Sequence, residues 1–156
     1  MLKHNLRLRQ LFIGPVLLFL LAIDLFVSGG SVSEAVGAES LMAGVAKVDI
    51  TDVDAGPVND LLYVKALVLK NDSTTVAIIS VDAVAIGEIG RIGNGYLPRV
   101  RARLAAEAGI RPANVFVNAS HCHGVVCADV DDRTVRAVTL ASQNLVPVHI
   151  GIGSGR

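Results

Sequence analysis

The sequence predicts an α/β domain: a mixed sheet with a β-hairpin and two helices. Three observations carry this prediction. Residues 61–70 and 74–86 are rich in β-branched side chains and are parted only by Asn71-Asp72-Ser73, which is hairpin spacing. Two later segments, 97–108 and 131–142, have helical spacing, and each leads into a short apolar segment of strand character. The chain is 52% hydrophobic but only 4% aromatic, with no Trp, so its core must come from Val, Ile, Leu and Ala.

The first ten residues carry Lys3, Arg7 and Arg9 and no acid. An apolar run from Leu11 to Ile23 follows, Asp24 interrupts it, and Leu25 to Val27 resumes it. Basic residues ahead of a short apolar stretch form a secretory signal, and Val36-Gly37-Ala38 offers the small side chains a signal peptidase reads. Residues 1–38 are therefore expected to be a signal peptide, with an uncleaved membrane anchor through residues 11–27 as the rival reading. Either places the chain outside the cytoplasm, secreted, periplasmic or membrane-anchored, and leaves residues 39–156 as the domain.

Within that domain, residues 44–50 alternate apolar and polar like a half-buried strand, and 51–57, rich in Asp, Gly and Pro, form a loop. The second hairpin arm carries Val76, Ala77, Ile78, Ile79 and Val81, a near-continuous run that suits a strand covered on both faces. Residues 87–95 hold four glycines and read as a loop. Pro98 is tolerated in the first turn of the helix at 97–108, Gly109 stops it, and Pro112 lies just beyond. A strand at 115–119 runs into Ser120-His121-Cys122-His123-Gly124. The helix at 131–142 is capped by Asp131 or Asp132, with Val135, Val138 and Leu140 inward, and a last strand is expected at 145–152.

Charge excludes one class of partner. Fourteen basic residues balance 14 acidic ones, and no clustered basic face marks a nucleic-acid footprint. Arg99, Arg101 and Arg103 sit at helical positions among Leu and Ala and read as a solvated face. Cys122 and Cys127 would be able to bridge in an oxidising compartment, but two cysteines define no framework.

Chemistry concentrates at His121 and His123. On an extended strand exit, residues i and i+2 share a face, so both imidazoles can approach one point, while Cys122 faces the other way and packs. Imidazole is a common zinc ligand, yet two ligands do not fill a tetrahedral shell. Hydrogen-bonded loop histidines are the alternative. His4 lies in the leader, and His149, in the apolar last strand, reads as a satisfied core or edge histidine.

These residues resemble the neutral/alkaline non-lysosomal ceramidase family. Residues 43–51 (AGVAKVDIT) look like its opening strand, 63–69 (YVKALVL) like the next, and 76–84, with Ser80-Val81-Asp82, like the one after. Residues 114–124 (NVFVNASHCHG) are similar to its metal loop, where a His-Thr-His core follows a strand, and 144–151 (NLVPVHIG) to the strand after the next helix. The resemblance implies the amino-terminal portion of a larger hydrolytic domain and a zinc (Zn2+) amidohydrolase cleaving ceramide into a fatty acid and a sphingoid base. It implies His121 as a zinc ligand and His123 as a catalytic contact to substrate or transition state. Asp82, ending a buried strand, is a candidate to support a ligating histidine, since such histidines donate their other N–H to a carboxylate or carbonyl.

The chain also departs from that pattern. Where the family continues with Ser-Gly-Pro after its second histidine, this chain has Gly124-Val125-Val126-Cys127. The family's further ligands, a histidine, a glutamate and a tyrosine, have no counterpart here, and Glu88 and Glu107 stand in the wrong context to replace them. The expectation is thus a truncated, inactive ceramidase-like chain with a lipid or amide substrate and a leader that brings it near a membrane. An exported non-catalytic α/β module, or a metal-dependent hydrolase for another amide or ester, are the alternatives. An exposed sheet edge would favour association, without fixing an oligomeric state.

Overall fold

A computed structural model of the chain describes residues 40–153. The expected leader lies outside the described residues, and no helix among them is long and apolar enough to cross a membrane. Five strands form one mixed sheet: β1 (Met42–Asp49), β2 (Tyr63–Lys70), β3 (Thr75–Val81), β4 (Val115–Ala119) and β5 (Val146–Pro147). Their order is β4-β3-β2-β1-β5, with β3 and β4 parallel and every other pair antiparallel. Helices α1 (Tyr96–Ala108) and α2 (Val130–Gln143) supply the rest. The predicted fold class is the observed one.

The hairpin turn explains itself chemically. The Asn71 side-chain oxygen accepts the backbone N–H groups of Ser73 (3.2 Å) and Thr74 (2.7 Å), a local turn that Asn favours. The second arm is shorter than expected and ends at Val81. Its partner β2 begins at Tyr63, and the Tyr63 N–H beyond that pairing is taken by the Asp82 carboxylate at 3.0 Å instead of by a strand. The last strand is also shorter: only Val146 and Pro147 pair, against Ala43 and Met42. Pro147 brings no N–H to a ladder, and β1 offers no paired residue before Met42, although the Val148 N–H still reaches the Leu41 carbonyl at 2.9 Å. His149 is consequently exposed, outside any strand, and is not the satisfied histidine expected.

Alternation sorts the sheet into two unlike faces. Val64, Ala66 and Val68 of β2, Ala77, Ile79 and Val81 of β3 and Val115 of β4 are buried under the helices. There they meet Val100 and Leu104 of α1 and Val135, Val138 and Ala141 of α2. The opposite face carries Val45, Leu67, Ile78 and Phe116 side by side in register, with Val45 68% and Phe116 58% exposed. The expectation that β3 is covered on both faces is therefore corrected: among the described residues only its helix face is covered. Uniform hydrophobicity gave the strand no way to announce which face that would be.

Two contacts seat α2, one on the sheet and one on α1. At Gly44 of β1, a Cβ would come within 2.0 Å of the Ala141 carbonyl oxygen, so the helix approaches as closely as it does only because this residue lacks a side chain. Between the helices, the buried Tyr96 hydroxyl lies 2.8 Å from the Thr134 hydroxyl, which itself donates to the Val130 carbonyl at 2.7 Å. The arginine run of α1 is engaged: Arg99 pairs with Asp131 at 2.6 Å, Arg103 with Asp132 and Glu107, and Arg101 donates to the Val115 carbonyl at 3.0 Å. Asp131 and Asp132 thus serve as first-turn acids facing α1, not as the expected cap. The N-cap position belongs to Asp129, whose side chain makes no capping bond.

Replacing Gly44 by Ala is expected to destabilise the domain by ~3 kcal/mol or more, at or beyond the upper end of overpacking effects, as read from chemical denaturation. Burial, opposed by the Thr134 hydrogen bond, pushes the Tyr96 hydroxyl up to about 12. Its contribution is whole below the unfolded tyrosine range near pH 10 and is lost as pH rises toward 12, because only the unfolded chain ionises there. Stability should therefore fall between about pH 10 and 12, and Tyr96→Phe should flatten that slope.

Candidate functional site

Strand β4 runs parallel to β3 and stops at Ala119, but the pairing of the two segments does not stop there. The Ser120 N–H reaches the Val81 carbonyl at 2.9 Å, and the Cys122 N–H reaches the Ala83 carbonyl at 3.1 Å. Between them His121 adopts a left-handed backbone, φ 63°, uncommon for a residue with a side chain. This turn places its ring so that Nδ1 lies 2.9 Å from the Val84 carbonyl oxygen. A carbonyl only accepts, so Nδ1 carries a proton, and in the neutral imidazole Nε2 then presents the lone pair, the tautomer suited to binding a metal or accepting a proton.

The His121 and His123 rings do come together, with centroids 5.0 Å apart and planes at 87°. The cause differs from the expected one. Extended alternation ends with β4, and the left-handed turn at His121 sets the approach. Cys122 is partly buried and packs against the core, and it also lines the first of the clefts at His123. Both cysteines are free thiols. Cys127 is buried, which pushes its thiol up to about 11, with its hydrogen bond to Asp129 adding to the rise. It is a protonated packing residue and no nucleophile.

Asp82 does not touch His121. Its carboxylate accepts the Tyr63 N–H at 3.0 Å, the Lys65 ammonium at 3.0 Å and the Ser120 hydroxyl at 3.0 Å. Burial, the largest single influence, raises its pKa, but the bonds from Lys65, Tyr63 and Ser120 together hold it below the usual carboxylate value. It reaches the histidines only through Ser120, and the partner of His121 is the Val84 carbonyl. Glu88 is exposed with φ 65°, Glu107 is paired with Arg103 on α1, and neither joins the two histidines in a group placed to hold a metal ion.

Two clefts meet at His123. One, of about 420 Å3, is lined by Thr51, Asp52, Asn59, Asp60 and Leu62 among others. The second, of about 540 Å3, is walled chiefly by Ala83, Ala85, Ile92 and Val126, with Arg91 at its side. Gly124 and Val125 also belong to both. A Cβ on Gly124 would stand 2.8 Å from a Leu62 methyl, so glycine lets this segment lie against the residue that leads into β2. Asp52 is bound to the same segment, its N–H donating to the Val125 carbonyl at 3.0 Å, and its carboxylate pairs with Arg91 at 3.1 Å. Sequence reasoning missed Val84, Arg91 and Gly124. The visible signals were a lone cation in a glycine-rich loop and a glycine directly after the histidines; a backbone carbonyl leaves none.

As a metal site the pair is partial. Two imidazoles supply two ligands where zinc takes four, and among the described residues no group of three or more His, Cys, Asp or Glu side chains is placed to hold a metal ion.

A mixed sheet with helices on one face and a histidine pair at a strand exit defines a class of α/β scaffold with its site in the strand-end loops. Within that class the fold matches part of the neutral ceramidases. It is similar to a ceramidase complexed with C2, with 18% identity and a TM-score of 0.55 over 70% of this chain and 22% of that one. It is also similar to the neutral ceramidase of Pseudomonas aeruginosa, with 17% identity and a TM-score of 0.56 over 71% and 23%. The chain thus spans less than a quarter of the length of either. No family model matches the chain, and no curated protein matches it.

Nitrogen-15 spectra should show the neutral imidazole of His121 as the Nδ1–H tautomer; the Nε2–H tautomer would contradict the Val84 bond. Asp82, held low, contributes stability that is whole above the ordinary carboxylate range near pH 4 and is lost as pH falls through its lowered value. Asp82→Asn should therefore flatten the acid limb of the stability profile.

Proposed function

We propose that the chain is a ceramidase-like hydrolytic scaffold for a lipid amide, with His121 as a zinc ligand and His123 as the side chain that contacts the substrate. The observation that carries this reading is the position of His123 between two clefts of unlike character, beside a His121 whose Nε2 is free. A lipid amide joins an apolar acyl chain to a polar amine part. A scissile bond at His123 would lie with the acyl chain toward Ala85 and Ile92 and the amine part toward Asp52 and Asp60. The likeness of the fold to neutral ceramidases supports the same chemistry.

When bound, zinc polarises an amide carbonyl and activates a water. The chain's own contribution is positional. The Val84 carbonyl fixes the tautomer and plane of His121, and Gly124 keeps the following segment against Leu62 so that His123 stands at the junction. His123, exposed and within hydrogen-bonding reach of a group at that junction, would orient the carbonyl or move a proton to the leaving amine. In this reading the described residues provide one zinc ligand, His121, so a four-coordinate shell and full activity require donors from beyond them.

The same shortage favours a second reading, an exported module that binds metal weakly and does not catalyse. Export itself is proposed from the basic, apolar leader. Zinc titration of the full chain beside His121→Ala separates the readings. The hydrolytic scaffold predicts zinc binding that falls at least about tenfold in the variant, as expected when a ligand or its support is lost, and no turnover of a short-chain ceramide by the 156 residues alone. Equal zinc affinity in both proteins would remove His121 from the site, and robust turnover would show that the shell is completed within the chain.

A further inference from the structure

We propose that Arg91 is an anion hook for the second cleft, masked by Asp52, and that the ligand is an amphipathic carboxylate whose chain lies against Ala85, Ile89 and Ile92. The inference deepens the proposed reading by naming what that cleft holds, yet its test requires no hydrolysis, so either can fail alone.

The cleft, about 540 Å3, falls within the range of small-molecule sites, about 300–1,000 Å3. Its walls are aliphatic, and among the described residues lining it only Arg91 and His123 are ionisable. An aliphatic pocket with one cation at its side recognises a molecule that is apolar along its length and negative at one end. Arg91 is placed for this by its loop. Gly90 has φ 80°, and a Cβ there would meet a Val84 methyl at 2.8 Å, so the turn lies directly on the residue whose carbonyl holds His121.

Arg91 is now spent on Asp52. The pair is 3.1 Å apart, with Arg91 46% and Asp52 18% exposed, an ion pair open to solvent on its arginine side and of the kind that contributes little. A planar guanidinium binds one carboxylate as well as another, in two parallel hydrogen bonds. A ligand carboxylate that also buries its chain in the cleft therefore has an advantage over Asp52, which gains nothing further by holding on. Exchange would release the bond between the loop at 87–92 and the segment that Asp52 joins to Val125.

Octanoate, octanamide and acetate, titrated into the full chain by calorimetry, test this. Octanoate should bind about three- to fivefold more tightly than octanamide, the worth of an exposed ion pair, and acetate more weakly than either. Arg91→Gln should bring octanoate down to octanamide. Asp52→Asn, which keeps the oxygen that accepts the Asp54 N–H at 3.2 Å, should tighten octanoate by a similar factor, a gain that misfolding cannot produce. Equal binding of octanoate and octanamide, no binding of either, or no gain in Asp52→Asn would overturn the proposal.

Discussion

The site depends on a ladder that outlasts its strands. Parallel pairing between β3 and β4 formally ends at Val81 and Ala119, but the carbonyls of Val81, Ala83 and Val84 continue to receive Ser120, Cys122 and the His121 ring. Two backbone bonds fix the path of the exit, and the third interaction, to a side chain, fixes the ring. A buried carbonyl left unpaired carries a desolvation penalty of ~1–3 kcal/mol, so the segment after Asp82 and the histidine loop each satisfy a need of the other. The left-handed backbone at His121 is tolerated inside this arrangement because bonds on both sides of it determine where the chain must go.

That ladder is in turn held in place by what lies on either side. Asp82 ties β2 to the β4 exit through Tyr63, Lys65 and Ser120. On the helix face, Gly44 lets α2 settle onto β1, and the Tyr96–Thr134 bond ties α2 to α1. Arg133 of α2 reaches the Asp49 carbonyl at 2.8 Å, at the strand end from which Thr51 goes on to bridge Val126. The helix layer and the loop layer are thus connected at the carboxyl end of β1, and a change in helix seating would be transmitted to the segment that carries Gly124 and His123.

Much of this was legible in the residues. Hairpin spacing, the helical periods with Gly109 and Pro112 as stop signals, and the strand before the histidines all appear where the pattern placed them. Length failed where partners ran out: β3 was read to 86 and the last strand to 152, because hydrophobicity marks what a strand would bury and is blind to whether a neighbour is there to pair. The face of β3 was misread for a related reason, since a uniformly apolar strand has no period to say which side is covered. At the candidate site, the two histidines were legible because their side chains are written in the sequence. The Val84 carbonyl was not, since every residue has one and only the fold selects among them. Asp82 was legible as important and misplaced by one residue's reach: it grips Ser120, and Ser120 leads into His121.

The Asp52–Arg91 pair shows why the two clefts should not be considered separately. Asp52 lines one and Arg91 the other, and the segment between them, Gly124 and Val125, belongs to both. The Asp52 N–H holds Val125 while its carboxylate holds Arg91, so one residue anchors the shared wall and neutralises the arginine on its far side. A negative group entering the apolar cleft competes with Asp52, and an amine entering the polar cleft competes with Arg91 for the same carboxylate. On the proposed reading, the two halves of an amphipathic ligand each weaken the pair from their own side. His123, on the common wall, is the side chain best placed to sense both.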